Sequence, residues 1–296
     1  MKMNSSMNNM RLIAVVVTYN FNIRKLLNSI GTYSDYVSLI LVCDNSTNDI
    51  LGDYFSKEQN PKIQYYSMKG NKGIAYALNY GFNLAIKYNA DWVLTMDQDS
   101  TFVSKLDGYF EIINDPVWEN VSIQSPAYLY HDKDTDGCND SSTSLPSVIK
   151  KSIQSGCLYR VSDFQKVGPF LDTLFIDYVD YEYCMRIAEF GKITLKVPSV
   201  VLKHKRGSIH QKKFFSITVK IAKSDPIRHY YQTRNFLLYF KLYRDYTELI
   251  SRCLIFARVL ALEDEKYLKT KYTFLGARDF FLGRWGKYIP SSNCDI

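Results

Sequence analysis

Two aspartates separated by one glutamine follow an apolar run in the segment WVLTMDQDST, residues 92–101. On an extended backbone, side chains at alternate positions point to the same side, so Asp97 and Asp99 would stand about 6 to 7 Å apart and repel each other. A cation relieves this repulsion, because Mg²⁺ or Mn²⁺ takes a few carboxylate oxygens and completes its shell with substrate phosphates. The pair therefore indicates either a metal site for a phosphorylated substrate or a nucleophile, Asp97, that attacks a phosphate.

The nucleophile interpretation rests on a resemblance of MDQDST to the haloacid-dehalogenase phosphatases. There Asp97 would be the nucleophile, Asp99 the acid and Thr101 a phosphate ligand. That motif normally stands on the first strand of its domain, whereas some ninety residues of strand and helix pattern precede it here. The downstream G-D-x-x-x-D of those enzymes is also missing, so the metal interpretation is favoured.

Three earlier segments also pass from strand-like apolar residues into polar ones. The polar residues are Thr18, Tyr19 and Asn20 after LIAVVV, Asp44 after LILVC, and Asn71, Lys72 and Gly73 after KIQYYSMKG. The next segment, GIAYALNYGFNLAIKY, has the apolar spacing of a helix. Alternating strands and helices predict an α/β fold with a mostly parallel sheet and ligand groups beyond the carboxyl ends of its strands. We therefore expect these residues to meet Asp97 at one crevice of nucleotide size.

Two of these groups have a structural as well as a functional interpretation. The glycines around Asn71 and Lys72 form a tight turn, or they let the backbone approach a ligand whose anionic or sugar oxygens bind free helix N–H groups. Asp44 forms an Asx-turn with Ser46 or Thr47, or it accepts a hydrogen bond from the N3–H of a pyrimidine. The residues alone leave both questions open.

The second half of the chain holds a further acidic segment, FIDYVDYEYCMR, which starts as a loop and becomes helical near Asp180. Asp180 and Glu182 either satisfy free N–H groups in the first helical turn or take part in chemistry. Before it, the small residues of SIQSGCLYRV (152–161) predict another strand. His204 follows the apolar run ITLKVPSVVL and is the histidine worth weighing as a metal ligand, although a lone histidine is more often structural.

Composition limits the partners. The net charge is +7, and the last seventy residues are basic and aromatic. A basic surface suits nucleic acid, an anionic bilayer or a phosphorylated substrate; nucleic acid is disfavoured because no helix-turn-helix, zinc-finger or RNA-binding signature occurs. Six cysteines without a C-x-x-C pair indicate a reducing compartment. We expect no secretory leader and no membrane span, since the apolar runs are far shorter than the about 20 residues that a span needs.

Length and pattern predict one large domain with an appended segment. We expect residues 1–10 to be disordered, residues 11–225 to form the α/β domain, and residues 226–296 to form a helical, basic and aromatic region.

Taken in order, these segments resemble the GT-A glycosyltransferases of family 2, most closely their bacterial rhamnosyltransferase branch. The matching segments are VVVTYN, VCDNST, GNKGIAYALNYG, MDQDS, SGCLYR, FIDYVDYEYCMR, LKHKRGS and YYQTRNFLLYF, which cover roughly residues 11–245. The resemblance implies a Rossmann-like, mostly parallel sheet flanked by helices, with a helical C-terminal extension.

Position by position, the resemblance implies nucleotide-sugar contacts at nine residues: Thr18, Tyr19, Asn20, Asp44, Asn71, Lys72, Gly73, Asp97 and Gln98. It also implies Mg²⁺ or Mn²⁺ with the diphosphate at Asp97 and Asp99, and His204 as a further ligand. The general base of the family is an aspartate that glutamate precedes in many members. Val179 stands in place of that glutamate here, so Asp180 is the expected base and Asp177 the alternative.

The resemblance further implies an inverting, metal-dependent transfer of L-rhamnose from dTDP-rhamnose, or of a sugar from another donor such as UDP-hexose. The basic, aromatic C-terminal third motivates a lipid-linked acceptor, and we expect a polyprenyl-diphosphate-linked glycan for O-antigen or capsule synthesis. The basic, aromatic C-terminal region fits a peripheral position on the cytoplasmic face of the inner membrane. A catalytically silent membrane-surface protein is disfavoured, because it would not need Asp97, Asp99 and Asp180.

Overall fold

The computed structural model describes most of the chain, namely residues 10–48, 50–57, 60–130, 145–204, 209–214, 217–222 and 225–290. Of the stretch predicted to be disordered, all but Met10 lies outside these residues. The chain divides into two compact units. The first runs to Phe170 and includes Tyr183–Lys205, and the second comprises Leu171–Glu182 and the chain from Arg206 on. The domain limits predicted from the sequence stay predictions.

The first unit contains a sheet and the helices that cover it. Its strands are β1 (Leu12–Thr18), β2 (Leu39–Asp44), β3 (Ile63–Ser67), β4 (Trp92–Asp97), β5 (Thr101–Phe102), β6 (Val121–Leu129), β7 (Ser147–Ile149), β8 (Leu158–Arg160) and β9 (Ile193–Lys203). Its helices are α1 (Ile23–Gly31), α2 (Ile50–Lys57), α3 (Ile74–Lys87), α4 (Asp107–Asn114), α5 (Val161–Val167) and most of α6 (Val179–Glu189).

The described strands of the first unit form one sheet in the order β3-β2-β1-β4-β8-β6-β9-β5, with β7 also paired to β9. The parallel pairings extend over five to eight residues. The antiparallel pairings, which involve β8, β5 and β7, cover only two or three residues each. The order 3-2-1-4 is that of Rossmann-like sheets. The predicted α/β class with a mostly parallel sheet is confirmed.

Apolar, β-branched residues place β1 and β2 at the centre of this sheet. Every residue of both strands is buried, as expected for parallel strands with both faces covered. Helix α3 packs against β1 at Gly81, where a Cβ atom would lie 2.3 Å from Cγ1 of Val15. This close approach requires glycine, and it sets the position of the helix that follows the GNKG segment.

Two strand predictions differ from the structure. In SIQSGCLYRV only Leu158–Arg160 is a strand, and residues 152–157 form a loop in which Gly156 has φ +82°. The serines and glycine of that segment lack the β-branched side chains that favour extended backbone. In WVLTMDQD the strand ends at Asp97, and Gln98 and Asp99 form a turn.

The second unit is mainly helical. Its elements are the start of α6, the antiparallel hairpin of β10 (Ile209–Phe214) and β11 (Ile217–Ala222), and the helices α7 (Pro226–Tyr243), α8 (Tyr246–Leu262) and α9 (Lys266–Phe281). The start of α6 near Asp180 and the long final helices match the prediction, whereas the hairpin was not expected. Helix α9 packs on α7 at Gly276, where a Cβ atom would lie 2.3 Å from the carbonyl oxygen of Tyr230. Among the described residues, no helix combines the length and the apolar character needed to cross a bilayer.

Candidate active site

Three parallel strands bring their carboxyl ends to one edge of the first unit. In the register of β1 with β2, Thr18 stands beside Asp44, and in the register of β1 with β4, Val17 stands beside Asp97. The residues that follow these strand ends therefore lie close together, as predicted. We call this group the strand-end cluster; it comprises Thr18–Asn20, Asp44–Ser46, Asn71–Gly73 and Asp97–Asp99.

Asp44 ties three strands together within the strand-end cluster, and it is 1% exposed. Its Oδ1 accepts hydrogen bonds from Thr18 Oγ1 at 2.8 Å, and from the backbone N–H and the hydroxyl of Ser46 at 3.0 and 2.5 Å. Its Oδ2 accepts one from the hydroxyl of Tyr65 on β3 at 3.0 Å. The Asx-turn with Ser46 is thus present. A contact with a pyrimidine stays a prediction, for which Oδ2 has the greater remaining acceptor capacity.

Gln98 connects the ends of β1 and β4. Its Oε1 accepts a hydrogen bond from the backbone N–H of Tyr19 at 2.7 Å, and the N–H of Asn20 donates to Ser46 Oγ, also at 2.7 Å. Asn20 has φ +47°, a left-handed conformation that asparagine adopts more readily than most residues. The turn after β1 is therefore held by side chains from two neighbouring strand ends. The Tyr19 ring remains 45% exposed.

The segment Asn71–Gly73 is fixed by Asn45, the residue after Asp44. The Asn45 side-chain amide donates to the carbonyl of Gly73 at 3.1 Å, and its oxygen accepts from the N–H of Lys72 at 3.2 Å. Gly73 has φ +93° and precedes α3 without a side chain to cap it. The first N–H groups of α3 are therefore suited to bind the oxygens of a ligand.

Asp97 is held from several directions at the end of β4. Its backbone N–H donates to Ser155 Oγ at 3.1 Å, and its Oδ1 accepts from the side-chain amide of Gln154. Its Oδ2 lies 3.8 Å from Nδ1 of His204, and that nitrogen is 2.8 Å from Ser100 Oγ. The Asp97 side chain is 27% exposed and that of His204 is 18% exposed. A small ligand can therefore reach both side chains from solvent.

The donors at this position fit a cation with an open coordination shell. Within the part of the chain that the structure describes, no group of three or more His, Cys, Asp and Glu side chains could by itself hold a metal ion. Asp97 and His204 approach each other closely, while Asp99 stands exposed in the turn after β4. Mg²⁺ commonly binds through one or two carboxylates and takes its other ligands from water and substrate phosphates. An incomplete set of protein donors agrees with that mode of binding.

Tyr128 on β6 holds the loop of residues 152–157, which carries Gln154 and Ser155. Its hydroxyl lies 3.0 Å from the carbonyl oxygen of Ile153 and 3.1 Å from that of Ser155. Burial raises the pKa of Tyr128 well above its ordinary value, so the phenol stays protonated and can donate to them. The segment that the sequence suggests as a strand is a loop that brings two side chains to Asp97.

The two candidate bases lie in the second unit, at the beginning of α6. Asp177 forms a bidentate ion pair with Arg228, with Nε 3.1 Å from Oδ2 and Nη2 2.5 Å from Oδ1. The charge of Asp177 raises the pKa of Arg228. Asp180 accepts a hydrogen bond through Oδ1 from the N–H of Tyr181 at 2.9 Å, in the first turn of the helix. Glu182 is buried and accepts a hydrogen bond from the hydroxyl of Tyr243 at 3.0 Å, which indicates a structural role.

The backbone before α6 is unusual. Phe175, Asp177 and Tyr178 have φ values of +61°, +63° and +67°. Non-glycine residues in this region cost about 1–3 kcal/mol each, and such residues cluster at functional sites. We refer to Leu174–Tyr178 as the 174–178 loop.

The sequence named Ser46 as a possible turn partner of Asp44 but did not indicate several other residues that position the predicted ones, namely Asn45, Tyr65, Ser100, Gln154, Ser155 and Tyr128. Asn45 directly follows Asp44, so the turn pattern was the available signal for it. Gln154 and Ser155 contact Asp97 from 57 and 58 positions away. No local pattern in the sequence points to such pairs.

The family comparison identifies the class of this protein. Residues 13–107, which contain all of the strand-end cluster, match the family model described as Glycosyl transferase family 2. Together with the Rossmann-like strand order and the aspartate at the end of β4, this match identifies residues 13–107 as a family 2 glycosyltransferase domain and the protein as a glycosyltransferase.

The chain is also similar to a curated protein and to a solved structure. The chain is 29% identical over 247 residues to "dTDP-rhamnosyl transferase RfbF" of Shigella flexneri, an alignment that covers 78% of this chain and 80% of the relative. Among solved structures, the chain is similar to "Crystal structure of GalNAc-T7 with UDP, GalNAc and Mn2+", with a TM-score of 0.58 and 14% identity. That match covers 93% of this chain but only 56% of the other, and it confirms the GT-A fold. The predicted enzyme class is also confirmed, and the phosphatase interpretation is not supported.

Proposed function

We propose that this glycosyltransferase moves L-rhamnose from dTDP-rhamnose, with inversion, to a polyprenyl-diphosphate-linked oligosaccharide used for a bacterial O-antigen or capsule. The similarity to the dTDP-rhamnosyl transferase over 78% of the chain carries the proposal of the donor. A UDP-hexose is the alternative donor, because uracil and thymine present the same N3–H to Asp44. The strand-end cluster supports either donor, since its groups are those that a pyrimidine nucleotide needs.

The strand-end cluster offers a contact for each part of the donor nucleotide. The exposed ring of Tyr19 is suited to stack on the base, since base–aromatic stacking contributes about 1–3 kcal/mol. Asp44 has an acceptor for the pyrimidine, and the N–H groups after Gly73 suit sugar or phosphate oxygens. Thr18, Asn20 and Gln98 hold the turn from which Tyr19 projects.

The diphosphate and a divalent cation are proposed to bind at Asp97, with Asp99 and His204 as further ligands. The proximity of Asp97 Oδ2 to His204 Nδ1, 3.8 Å, supports a shared ion. Gln154 holds the other carboxylate oxygen of Asp97, so only Oδ2 faces the imidazole. The chemistry that a bound cation supplies is neutralisation of the charge that develops on the leaving diphosphate.

Asp180 is proposed as the general base. Both oxygens of Asp177 accept hydrogen bonds from Arg228, so taking up a proton there would require breaking a charge-assisted pair. Asp180 also acts on Arg228, but its charge is among the smaller contributions to the raised pKa of that guanidinium, whereas Asp177 makes the largest. The tighter pairing of Asp177 favours Asp180 as the base.

The reaction requires one base and one leaving group. As the acceptor oxygen forms its bond to the anomeric carbon of the donor, the bond from that carbon to the diphosphate breaks and inverts the centre. The hydroxyl proton passes to the carboxylate of Asp180, and dTDP leaves with the electron pair of the broken bond. A single carboxylate suffices because a diphosphate leaving group, unlike the alkoxide that leaves in glycoside hydrolysis, does not have to be protonated by a general acid.

A panel of nucleotides tests the donor proposal. The melting temperature should rise with dTDP plus Mg²⁺ or Mn²⁺, because a ligand that binds the folded state at a hundred times its Kd stabilises it by about 2.7 kcal/mol. Asp97→Ala should remove this metal-dependent rise. An equal rise with UDP would favour the UDP-hexose alternative, and a rise with GDP alone would contradict both.

A transfer assay then tests the reaction itself. Labelled dTDP-rhamnose should pass its sugar to an extract of polyprenyl-diphosphate-linked glycans and release one dTDP for each sugar transferred. Sugar phosphates and p-nitrophenyl phosphate serve as controls. Phosphate release from these compounds without any nucleotide-sugar would contradict the transferase proposal.

A peripheral position on the cytoplasmic face of the inner membrane is proposed from the surface of α8. Tyr246, Ile250 and Leu254 are spaced four residues apart and so lie on one face, with exposures of 64%, 61% and 66%. Lys241 and Arg244 are exposed just before this helix. An exposed apolar face next to basic side chains fits the interface of an anionic bilayer.

Flotation with liposomes tests this position. The protein should float with vesicles that contain phosphatidylglycerol more than with pure phosphatidylcholine, and less at high salt, because ions screen charges beyond about 8 Å at physiological ionic strength. The double variant Ile250→Ser, Leu254→Ser should reduce flotation. Val117→Ser, a change at a 78% exposed position in the first unit, is the matched control. Equal flotation of all three proteins would contradict the proposal.

A further inference from the structure

Two neighbouring side chains of α7, Arg234 and Asn235, are completely buried although both are polar. They belong to the YYQTRN segment, for which the proposed reaction leaves no role. Burial of a guanidinium and a carboxamide is costly unless their donors are satisfied. Their donors are satisfied mainly by backbone carbonyls of the second unit.

The Asn235 side chain binds the backbone of the 174–178 loop. Its amide nitrogen lies 2.7 Å from the carbonyl oxygen of Leu174, 2.7 Å from that of Ile176 and 2.9 Å from that of Asp177. Its oxygen accepts a hydrogen bond from Nε of Arg234 at 3.0 Å. That bond fixes which end of the amide faces the loop, so the amide nitrogen is presented to the three carbonyls.

Arg234 binds the first residue of the same loop and the residue before it. Its Nη2 lies 3.2 Å from the carbonyl oxygens of both Thr173 and Leu174, and its Nη1 donates to the carbonyl of Gly286 at 2.8 Å. The guanidinium carbon lies 5.6 Å from the ring centre of Trp285, within the range of a cation–π contact. The acceptors of Arg234 are neutral: three backbone carbonyls, the side-chain oxygen of Asn235 and, at 3.4 Å, the hydroxyl of Tyr230. Most of its hydrogen bonds therefore orient the backbone.

These bonds converge on a segment whose backbone conformation is unfavourable unless neighbouring groups hold it. Three of the five residues in the 174–178 loop have positive φ, and none of the five is glycine. An L-residue reaches this conformation only when its surroundings impose it. Of the carbonyls bound by Asn235, those of Leu174 and Ile176 flank Phe175, and the third belongs to Asp177 itself.

We propose that Arg234 and Asn235 are positioning residues for the transfer reaction, which hold the 174–178 loop in its left-handed form and so fix the start of α6. The loop leads directly into the first turn that carries Asp180. It also presents Asp177 to Arg228. This inference rests on the proposed function, because it gives the pair a catalytic consequence through Asp180.

Asn235→Ala tests the proposal by its separate effects on kcat and KM. The donor contacts lie in the strand-end cluster, so KM for dTDP-rhamnose and the affinity for dTDP should change less than twofold. The value of kcat should fall about tenfold or more, since the base is no longer held in place. The amides of residues 171–182 should also exchange hydrogen faster, while those of α3 should not.

Tyr239→Phe is the matched control. Tyr239 lies on the same helix, and the change removes its 2.9 Å hydrogen bond to Asp245 while keeping the ring. It should lower the melting temperature without a change in kcat or in the exchange of residues 171–182. If Asn235→Ala and Tyr239→Phe have the same effect on kcat and on exchange, Arg234 and Asn235 contribute only to ordinary helix packing. The proposal is then overturned. If the Asn235→Ala protein does not fold, the Asn235→Ser variant, which keeps one hydrogen-bond donor, takes its place in the experiment.

A pair of variants at Asp177 tests the left-handed conformation itself. Asp177→Ala and Asp177→Gly both lose the ion pair with Arg228, but only glycine adopts φ +63° without strain. The alanine variant should therefore melt at a lower temperature than the glycine variant, and equal melting would contradict a loop held in this form. If the wild type transfers no sugar from any donor, the proposed function fails, while hydrogen exchange in Asn235→Ala still decides whether the pair holds the loop.

Discussion

The two acidic sites of this glycosyltransferase are held in opposite ways. Asp44 and Asp97 end regular strands of the first unit, and Asp44 receives hydrogen bonds from Thr18 at the end of β1, from Tyr65 within β3 and from Ser46 just after its own strand. Asp177 lies in an irregular loop of the second unit, and its partners come from α7, 51 and 58 positions further along the chain. In the first case the sheet supplies the geometry, and in the second case buried polar side chains impose it on the backbone.

Because of this difference, the two sites should respond differently to substitution. A strand end stays in place when one hydrogen bond is lost, because the ladder bonds on both sides remain. The 174–178 loop has no ladder, and its conformation depends on a few side-chain donors. We therefore expect substitutions near Asp97 to act mainly on ligand binding, and substitutions near Asp177 to act on the placement of the proposed base, Asp180, and on stability.

The largest expected effect follows from removing the proposed base, Asp180. Asp180→Asn keeps the size of the side chain but cannot accept the hydroxyl proton, so kcat should fall by about 10²- to 10⁴-fold. Binding of dTDP, measured by calorimetry, should stay within twofold because the proposed donor contacts lie in the first unit.

Asp177→Asn is the control for this prediction. It loses the ion pair with Arg228, so its melting temperature should fall more than that of Asp180→Asn, while kcat should fall less. If the order of the kcat values is reversed, Asp177 is the base, and the ion pair must open during the reaction.

The sequence predicts the strand-end cluster far better than the 174–178 loop. Apolar runs that end in polar residues indicate strand ends, and parallel strands share an edge, so the meeting of Thr18, Asp44 and Asp97 follows from pattern alone. The roles of Asn235 and Gln154 do not follow from any pattern, because each acts on a residue that only the folded chain brings near. The fold class was thus predictable from periodicity, whereas the side chains that orient the carboxylates were not.

A smaller effect is expected at Gln154, which orients Asp97 from the loop of residues 152–157. Side chains that orient a metal ligand typically contribute 10- to 100-fold in affinity or activity. Gln154→Ala should therefore raise the metal concentration needed for half-maximal transfer by roughly tenfold, with little change in kcat at saturating metal. Gln165→Ala, at an exposed position of α5, is the control. A fall in kcat with an unchanged metal requirement would contradict the proposed place of the cation.

The next prediction concerns stability in the second unit alone. An alanine at Gly276 would place its Cβ 2.3 Å from the carbonyl oxygen of Tyr230, so α7 and α9 would have to move apart. Overpacking of this kind costs about 1–3 kcal/mol. Gly31→Ala at the end of α1 is the control, since no atom lies within 4 Å of its added Cβ. Thermal unfolding should show a lower melting temperature for Gly276→Ala only.

The smallest effect is a pH dependence that also belongs to the second unit. Burial lowers the pKa of His229 in α7 below its ordinary value of 6.5; Glu263 opposes this shift, and Lys269, Arg252 and Arg258 add to it. The unfolded chain therefore binds a proton more readily than the folded chain. Acid favours unfolding, and this contribution to stability is complete above about pH 6.5 and is lost as the pH falls from there toward the lowered pKa.

The variant His229→Gln isolates this contribution. A single group changes the free energy of unfolding by at most about 1.4 kcal/mol per pH unit, so the difference between wild type and variant is the quantity to measure. Between pH 7.5 and 5.5 the melting temperature of the wild type should fall more than that of the variant. If the two curves run parallel, His229 is protonated to the same extent in the folded and unfolded chain, and α7 owes none of its stability to a neutral imidazole.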